Sequence, residues 1–289
     1  MLKHINQTPV APKRVVILGG SGFVGKALVK HLSCQSMDVL SFGSEQMDLS
    51  SESCVAKLQA LLQTEDCLII LSALTPDRGR GIDTLMKNLR MIENVSSVLA
   101  EQNVAQVIYC SSDAVYPMDF PIVNEATPAA PADLYGVMHR TREIMLQSTV
   151  KSALCIIRPT LIYGAGDSHN SYGPNRFRRQ AGIEQKINLG GEGEETRDHV
   201  YVEDLVSIIE LLVTHKSEGI VNIATGQSHS FMGVAKQVSS LFDVPVEICT
   251  SKRQSAITHR QFEIDCIKNA FPDFSFTDFA SGSKLAHLE

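Results

Sequence analysis

Ser112, Tyr135 and His139 are the side chains here whose types and spacing could carry chemistry. A phenol has a pKa of about 10, so at neutral pH it keeps its proton unless a nearby cation favours the phenolate. In 135-YGVMH-139 the tyrosine is followed four positions later by a histidine. Residues i and i+4 share a helix face, so His139 can lie beside Tyr135. Ser112, in 111-SSDAVY-116, ends a strand-like run and offers a hydroxyl. A hydroxyl and a tuned phenol together can exchange a proton with a substrate oxygen.

A second chemical feature is 19-GGSGFVG-25, which follows one apolar run and opens a helical one. Gly19, Gly22 and Gly25 allow a sharp turn, close backbone approach to a pyrophosphate, and tight packing of helix on sheet. The phosphates of a dinucleotide would then sit at the helix's positive end, over Phe23 and Val24. The end of the second strand offers Gly43 and Ser44, neither acidic nor basic, so the choice between NAD and NADP stays open. Asp48 either approaches the adenine end or caps its own loop.

The elements needed to position these groups are legible as alternating patterns. Residues 14–20, 38–43, 66–73, 105–112 and 153–159 read as buried strands. Helical spacing covers 24–35, 52–63, 82–102, 134–150, 203–215 and 230–242, and a further strand covers 219–224. The alternation predicts an α/β fold, a Rossmann-like doubly wound parallel sheet with a small C-terminal substrate lobe. The dinucleotide-binding part is expected over 14–164, with 198–224 returning to it, and the smaller lobe over 165–197 and 225–289. Residues 1–13 read as a frayed arm, 164–197 as loops, 243–250 as a possible strand, and 270–289 as poorly patterned.

Composition narrows the function class. The chain has 289 residues, 44% hydrophobic and 20% charged, with a net charge of -6. That balance suits a globular protein with a sizeable core and gives no basic footprint for nucleic acid. Apolar runs such as 67-CLIIL-71 fall far short of the roughly 20 residues that span a bilayer, and the first residues carry no apolar signal core. Seven scattered cysteines without a CxxC pair fit a reduced, cytoplasmic protein. The histidines lack metal-ligand spacing, so no metal site is expected.

Five motifs occur in one order: 19-GGSGFVG-25, 111-SSDAVY-116, 125-EATPAAPADLYG-136, 158-RPTLIYG-164 and 196-TRDHVYVEDL-205. With them, from about Arg14 to Ile223, the chain resembles the extended short-chain dehydrogenases/reductases. The resemblance is to their NAD(P)-dependent epimerase/dehydratase group, which acts on nucleotide-activated sugars. It implies that Ser112 hydrogen-bonds the sugar oxygen and that Tyr135 exchanges its proton. It implies that the residue at 139, a lysine in the family, holds the nicotinamide ribose and lowers the phenol pKa. It also implies a structural role for Asn88, passage of backbone by the cofactor at Ala73, and a sugar-nucleotide phosphate contact at Arg197. Homodimerisation through helices 82–102 and 134–150 is typical of the group.

Histidine in place of lysine leaves three readings. His139 is a working partner over a restricted pH range, or another base (Arg142, Lys151 or Arg158) fills the space, or the chain binds its ligand without catalysis. Among the group's reactions, epimerisation is the first expectation and reduction the next. Asp113 lies on the substrate side, but Ala114 stands where dehydratases carry glutamate. In 168-SHNSYGPNRFRR-179, Arg176, Arg178 and Arg179 are candidate phosphate partners, with Tyr172 a polar neighbour, and Arg78 and Arg80 are ligand candidates on a second basic loop.

Overall fold

The structure, a computed structural model, describes residues 2–167, 169–170, 173–254 and 256–289; Tyr172 lies outside them. In chain order the first elements are β1 (Lys3–His4), β2 (Arg14–Leu18), α1 (Phe23–Cys34), β3 (Val39–Phe42), α2 (Ser53–Leu61), β4 (Asp66–Ile70) and α3 (Ile82–Glu101). Next come β5 (Gln106–Cys110), a 3₁₀ turn (Asp113–Val115), β6 (Ile122–Val123), α4 (Leu134–Thr149), β7 (Ala153–Pro159) and β8 (Leu161–Tyr163). Then follow α5 (Pro174–Glu184), β9 (Lys186–Gly190), β10 (Thr196–Tyr201), α6 (Val202–Thr214) and β11 (Ser217–Ile223). The last are β12 (Ser228–Ser230), α7 (Phe231–Ser239), β13 (Glu247–Ser251), β14 (Gln261–Phe262), α8 (Asp265–Ala270) and α9 (Phe279–Leu288).

The central sheet runs β1-β11-β7-β5-β4-β2-β3. All its pairs are parallel except β1 with β11. Buried on both faces, β4 and most of β2 are nearly all apolar, as strands covered by helices on both sides must be. One face packs on α1 and α6 through Leu28, Leu32, Leu205 and Ile209. The other packs on α2, α3 and α4 through Leu58, Ile92, Val95 and Leu146. The strand order reverses at β2, which lies between β3 and β4, so a crevice opens at the carboxyl ends of β2 and β4. Among the described residues no helix is long and apolar enough to cross a membrane.

Three stretches differ from the sequence expectation. The arm is not frayed: β1 adds an antiparallel edge strand, and His4 Nδ1 bonds Ser217 Oγ at 2.8 Å. The stretch 164–197 is not all loop, for it holds α5, β9 and the start of β10. The tail forms α8 and α9, the latter capped by Asp278, which accepts from Ser281 N at 3.0 Å. Around β9, α5, α7 and α9 a separate apolar cluster includes Phe177, Ile187, Leu189, Val234 and Phe279.

Candidate active site

Ser112 follows β5 at the sheet's carboxyl edge. Strand alternation sends its neighbour Ser111 the other way, where it donates to Glu143 Oε1 at 2.6 Å. Ser112 turns toward the crevice and caps the 3₁₀ turn by accepting from Ala114 N at 3.1 Å. Tyr135 stands at the start of α4, whose N-terminus is fixed by Asp133 accepting from Gly136 N at 2.8 Å. Gly136 lets α4 press onto the 3₁₀ turn, since a Cβ there would lie 2.2 Å from the carbonyl oxygen of Ala114. That contact brings the two hydroxyls together. Burial raises the Tyr135 pKa, and a hydrogen bond from Ser112 and the Arg142 charge oppose the rise.

His139 lies one turn on, its ring edge-on to Tyr135 with centroids 4.7 Å apart. It is 2% exposed, and its Nδ1 is 2.7 Å from the Tyr109 hydroxyl. Burial and the neighbouring Arg142 charge hold its pKa well below the ordinary histidine value. The ring is therefore neutral at physiological pH and supplies no cation to the phenol. Of the other bases weighed from sequence, Lys151 is exposed and bonds the carbonyl of Ala100 at 3.3 Å. Arg158 is neutralised by Glu143 at 2.6 Å. Arg142, over the Tyr109 ring, is the base whose charge reaches the phenol. Tyr109, invisible to motif reading because its role is purely spatial, completes this cluster.

The glycine turn is built as its spacing demands. Gly19 has φ +100°, and a Cβ on it would meet Ser72 N at 2.6 Å, so the turn lies against the end of β4. Gly22 is the N-cap of α1 with no side-chain cap, and the first turn carries no acidic residue. The leading N–H groups and the helix dipole are therefore open to an anion. Phe23 is buried against the segment at Gly164 while Val24 is half-buried. Asn88 fixes the strand's continuation past Ala73 by bonding Leu74 N at 2.8 Å and Leu74 O at 3.0 Å. Ser44 is exposed just past β3. Asp48 caps its own loop, accepting from the N–H and hydroxyl of Ser50, which lower its pKa. Around the crevice, Ser72 Oγ, His139 Nε2 and Arg142 Nε are buried without hydrogen-bond partners. The open helix end and these orphaned polar atoms fit a dinucleotide.

Arg260, which sequence reading missed, pins Asp113: its guanidinium reaches Asp113 Oδ2 at 3.3 Å and the carbonyls of Asp113, Tyr116 and Pro117. Burial raises the Asp113 pKa, opposed by Arg260 and Arg197. Arg197 donates to Thr258 Oγ1 at 2.7 Å and lines a pocket of about 420 Å³ with Glu195, Phe231, Ser251, Lys252 and Arg253. Arg176 lies half-buried in the first turn of α5. Arg178 is committed to the carbonyls of Gly164 and Ala286, and Arg179 to Asn170. Arg78 is exposed beside Asp77.

A family model described as "NAD dependent epimerase/dehydratase family" matches residues 15–224. GDP-L-fucose synthase of Sinorhizobium fredii is 25% identical over 246 residues, 77% of this chain and 78% of the relative. GDP-6-deoxy-D-talose 4-dehydrogenase of Aggregatibacter actinomycetemcomitans is 27% identical over 228 residues, 75% of this chain and 76% of the relative. Among solved structures, a GDP-L-fucose synthetase from Naegleria fowleri bound to NADP superposes with a TM-score of 0.85 at 17% identity, covering 99% of this chain and 96% of that one.

Proposed function

Because this chain belongs to the NAD dependent epimerase/dehydratase family, we propose that it is an enzyme transferring hydride between NAD or NADP and a nucleotide-activated sugar, with epimerisation as the net reaction. The observation that carries this reading is the meeting of the Ser112 hydroxyl and the Tyr135 phenol at the sheet's carboxyl edge, beside the glycine turn. The open end of α1 at Gly22–Gly25 holds the dinucleotide phosphates, and Ser44 faces the adenosine ribose. The bound nicotinamide supplies or accepts the hydride. Ser112 orients the sugar hydroxyl, and Tyr135 takes or returns its proton. Arg197 and Arg176 face the sugar nucleotide's diphosphate, with the pocket beside Arg197 on the substrate side. Asp113, held by Arg260, borders the sugar and is not free to act as a mobile acid.

In this reading residues 14–164 with 198–224 bind the dinucleotide, and 165–197 and 225–289 form the substrate lobe. Residues around Ile267 and Phe271 pack back on the sheet face. A homodimer through α3 and α4 is supported by Ile82, Met86, Val137 and Ile144, all exposed on those helices. A cytoplasmic site is supported by seven free cysteines.

Net oxidation or reduction is the second reading, favoured by the name of the 27% identical dehydrogenase relative. One experiment tests both. The purified protein is denatured, any released dinucleotide identified, and nucleotide sugars screened for turnover. Retained NAD⁺ that is regenerated in each cycle supports epimerisation. Stoichiometric consumption of added dinucleotide supports the second reading. Absence of dinucleotide affinity together with absence of turnover rejects both.

A further inference from the structure

Positions 135, 139 and 142 stand at i, i+4 and i+7 on α4, one face of one helix. Arg142 is fully buried at 0% exposure. Its Nη2 donates to the carbonyl oxygen of Ser72 at 2.8 Å, and its Nη1 lies 3.8 Å from the Met138 sulfur. Its Nε has no partner. The guanidinium stands over the Tyr109 ring, 5.1 Å from the centroid. Among the described residues no carboxylate pairs with it, in contrast to Arg140 and Arg158, which both reach Glu143. An unpaired buried cation is costly to a fold by several kcal/mol. Its retention points to a use for the charge.

The imidazole of His139 is equally constrained. Among the described residues the Tyr109 phenol has no other acceptor, which assigns its proton to Nδ1 and the ring's own proton to Nε2. That N–H is buried without a partner. The carbonyl that anchors Arg142 belongs to Ser72, whose N–H lies against Gly19 in the glycine turn. The charge, the orphaned donor and the phenol thus occupy adjoining places between the turn and Tyr135.

We propose that the phenol's electrostatic activation and the donor to the dinucleotide are divided between two residues, Arg142 supplying the charge to Tyr135 and His139 presenting Nε2–H, oriented by Tyr109, to a ribose hydroxyl. This rests on the hydride-transfer reading above. The directions of titration agree: the Arg142 charge opposes the upward shift that burial imposes on Tyr135 and joins burial in keeping His139 neutral. Arg142 is a positioning residue acting through the phenol.

The test compares wild type with Arg142→Met, Arg142→Lys, His139→Ala and the double variant Arg142→Met/His139→Lys. Three readouts are taken: dinucleotide affinity by fluorescence, the pH profile of kcat, and Tyr135 ionisation by NMR of isotope-labelled tyrosine, with Tyr135→Phe assigning the signal. In Arg142→Met the kinetic and spectroscopic pKa of the phenol rise by about one pH unit while dinucleotide affinity changes little. Arg142→Lys keeps most of the activity. His139→Ala weakens dinucleotide binding about tenfold, the worth of one hydrogen bond, without moving the phenol. His139→Lys restores the phenol pKa in the Arg142→Met background, which a merely structural arginine would not permit. A phenol pKa unchanged in folded Arg142→Met, or a double variant no better than the single one, overturns the proposal. Failure of wild type to bind dinucleotide would instead strike the underlying reading, and the NMR arm still decides the role of Arg142.

Discussion

A half-buried phenol beside a serine hydroxyl makes a sharp prediction. Tyr135→Phe removes the exchangeable proton and leaves the ring, so kcat should fall by about 10²–10⁴ while dinucleotide affinity stays within a few-fold. Ser112→Ala removes the hydroxyl that supports the phenolate and should lower kcat by a similar order with little change in melting temperature. Stopped-flow turnover alongside a binding titration separates the two effects; parallel losses of binding and turnover would place neither residue in proton transfer. Ser112 and Tyr135 were expected from sequence because motif order singles them out and places one at a strand end and the other at a helix start. The division of labour at His139 was not. A histidine at i+4 reads as a partial cation until burial is known, and burial here makes it neutral. Arg142 was one of three bases that sequence could name but not rank, since ranking required knowing that Glu143 takes Arg158.

At the scale of elements, two glycines position the chemistry and can be tested separately. Ala at Gly136 is a better helix former by about 0.5–1 kcal/mol. Its Cβ would nonetheless collide with the Ala114 carbonyl at 2.2 Å, forcing α4 away from the 3₁₀ turn that follows Ser112. Gly136→Ala should therefore lose about 10²-fold in kcat, the effect of an ångström-scale misplacement, and no more than about tenfold in dinucleotide affinity, the share carried by His139 on the same helix. Gly19→Ala should do the reverse. Its φ of +100° and the 2.6 Å approach to Ser72 N strain both the turn and the cradle. Stability should drop by about 1–2 kcal/mol and dinucleotide affinity with it, as followed by thermal melts with and without ligand. The buried parallel strands were legible because each is a short apolar run closed by glycine or polar residues. The segment 164–197 was not, because α5 buries few apolar residues, chiefly Phe177 and Ala181, and its start is marked only by Gly173 in a positive-φ conformation and Pro174 in the first turn. Two-residue β1 carries no period at all, and its docking depends on partners more than two hundred residues away.

For the whole molecule, the buried neutral histidines contribute to the response to acid. His199 in β10 is 2% exposed, sits among Phe231 and Phe279, and among the described residues no side chain bonds either ring nitrogen. Burial, with the nearby His229, lowers its pKa to about 3. In the unfolded chain the same ring protonates near pH 6.5. Between these values the unfolded state binds a proton that the native state refuses, so stability is complete above about pH 6.5 and declines as pH falls. The slope is about 1.4 kcal/mol per pH unit, or about 2 kcal/mol from pH 6.5 to pH 5 for this one residue. His139 contributes in the same direction because its pKa is also depressed. His199→Phe replaces the ring with one its aromatic surroundings can hold without a proton penalty. The variant's melting temperature should fall less than that of wild type between pH 7.5 and pH 5, by about 4 °C for a domain of this size. Tyr135 and Ser112 lie outside this aromatic cluster while Phe231 lines the substrate-side pocket, so kcat at pH 7.5 should stay near the wild-type value and any change should fall on KM. Melting curves that run parallel across that pH interval would mean that His199 accepts a proton in the native state and that its apolar surroundings open before the fold does.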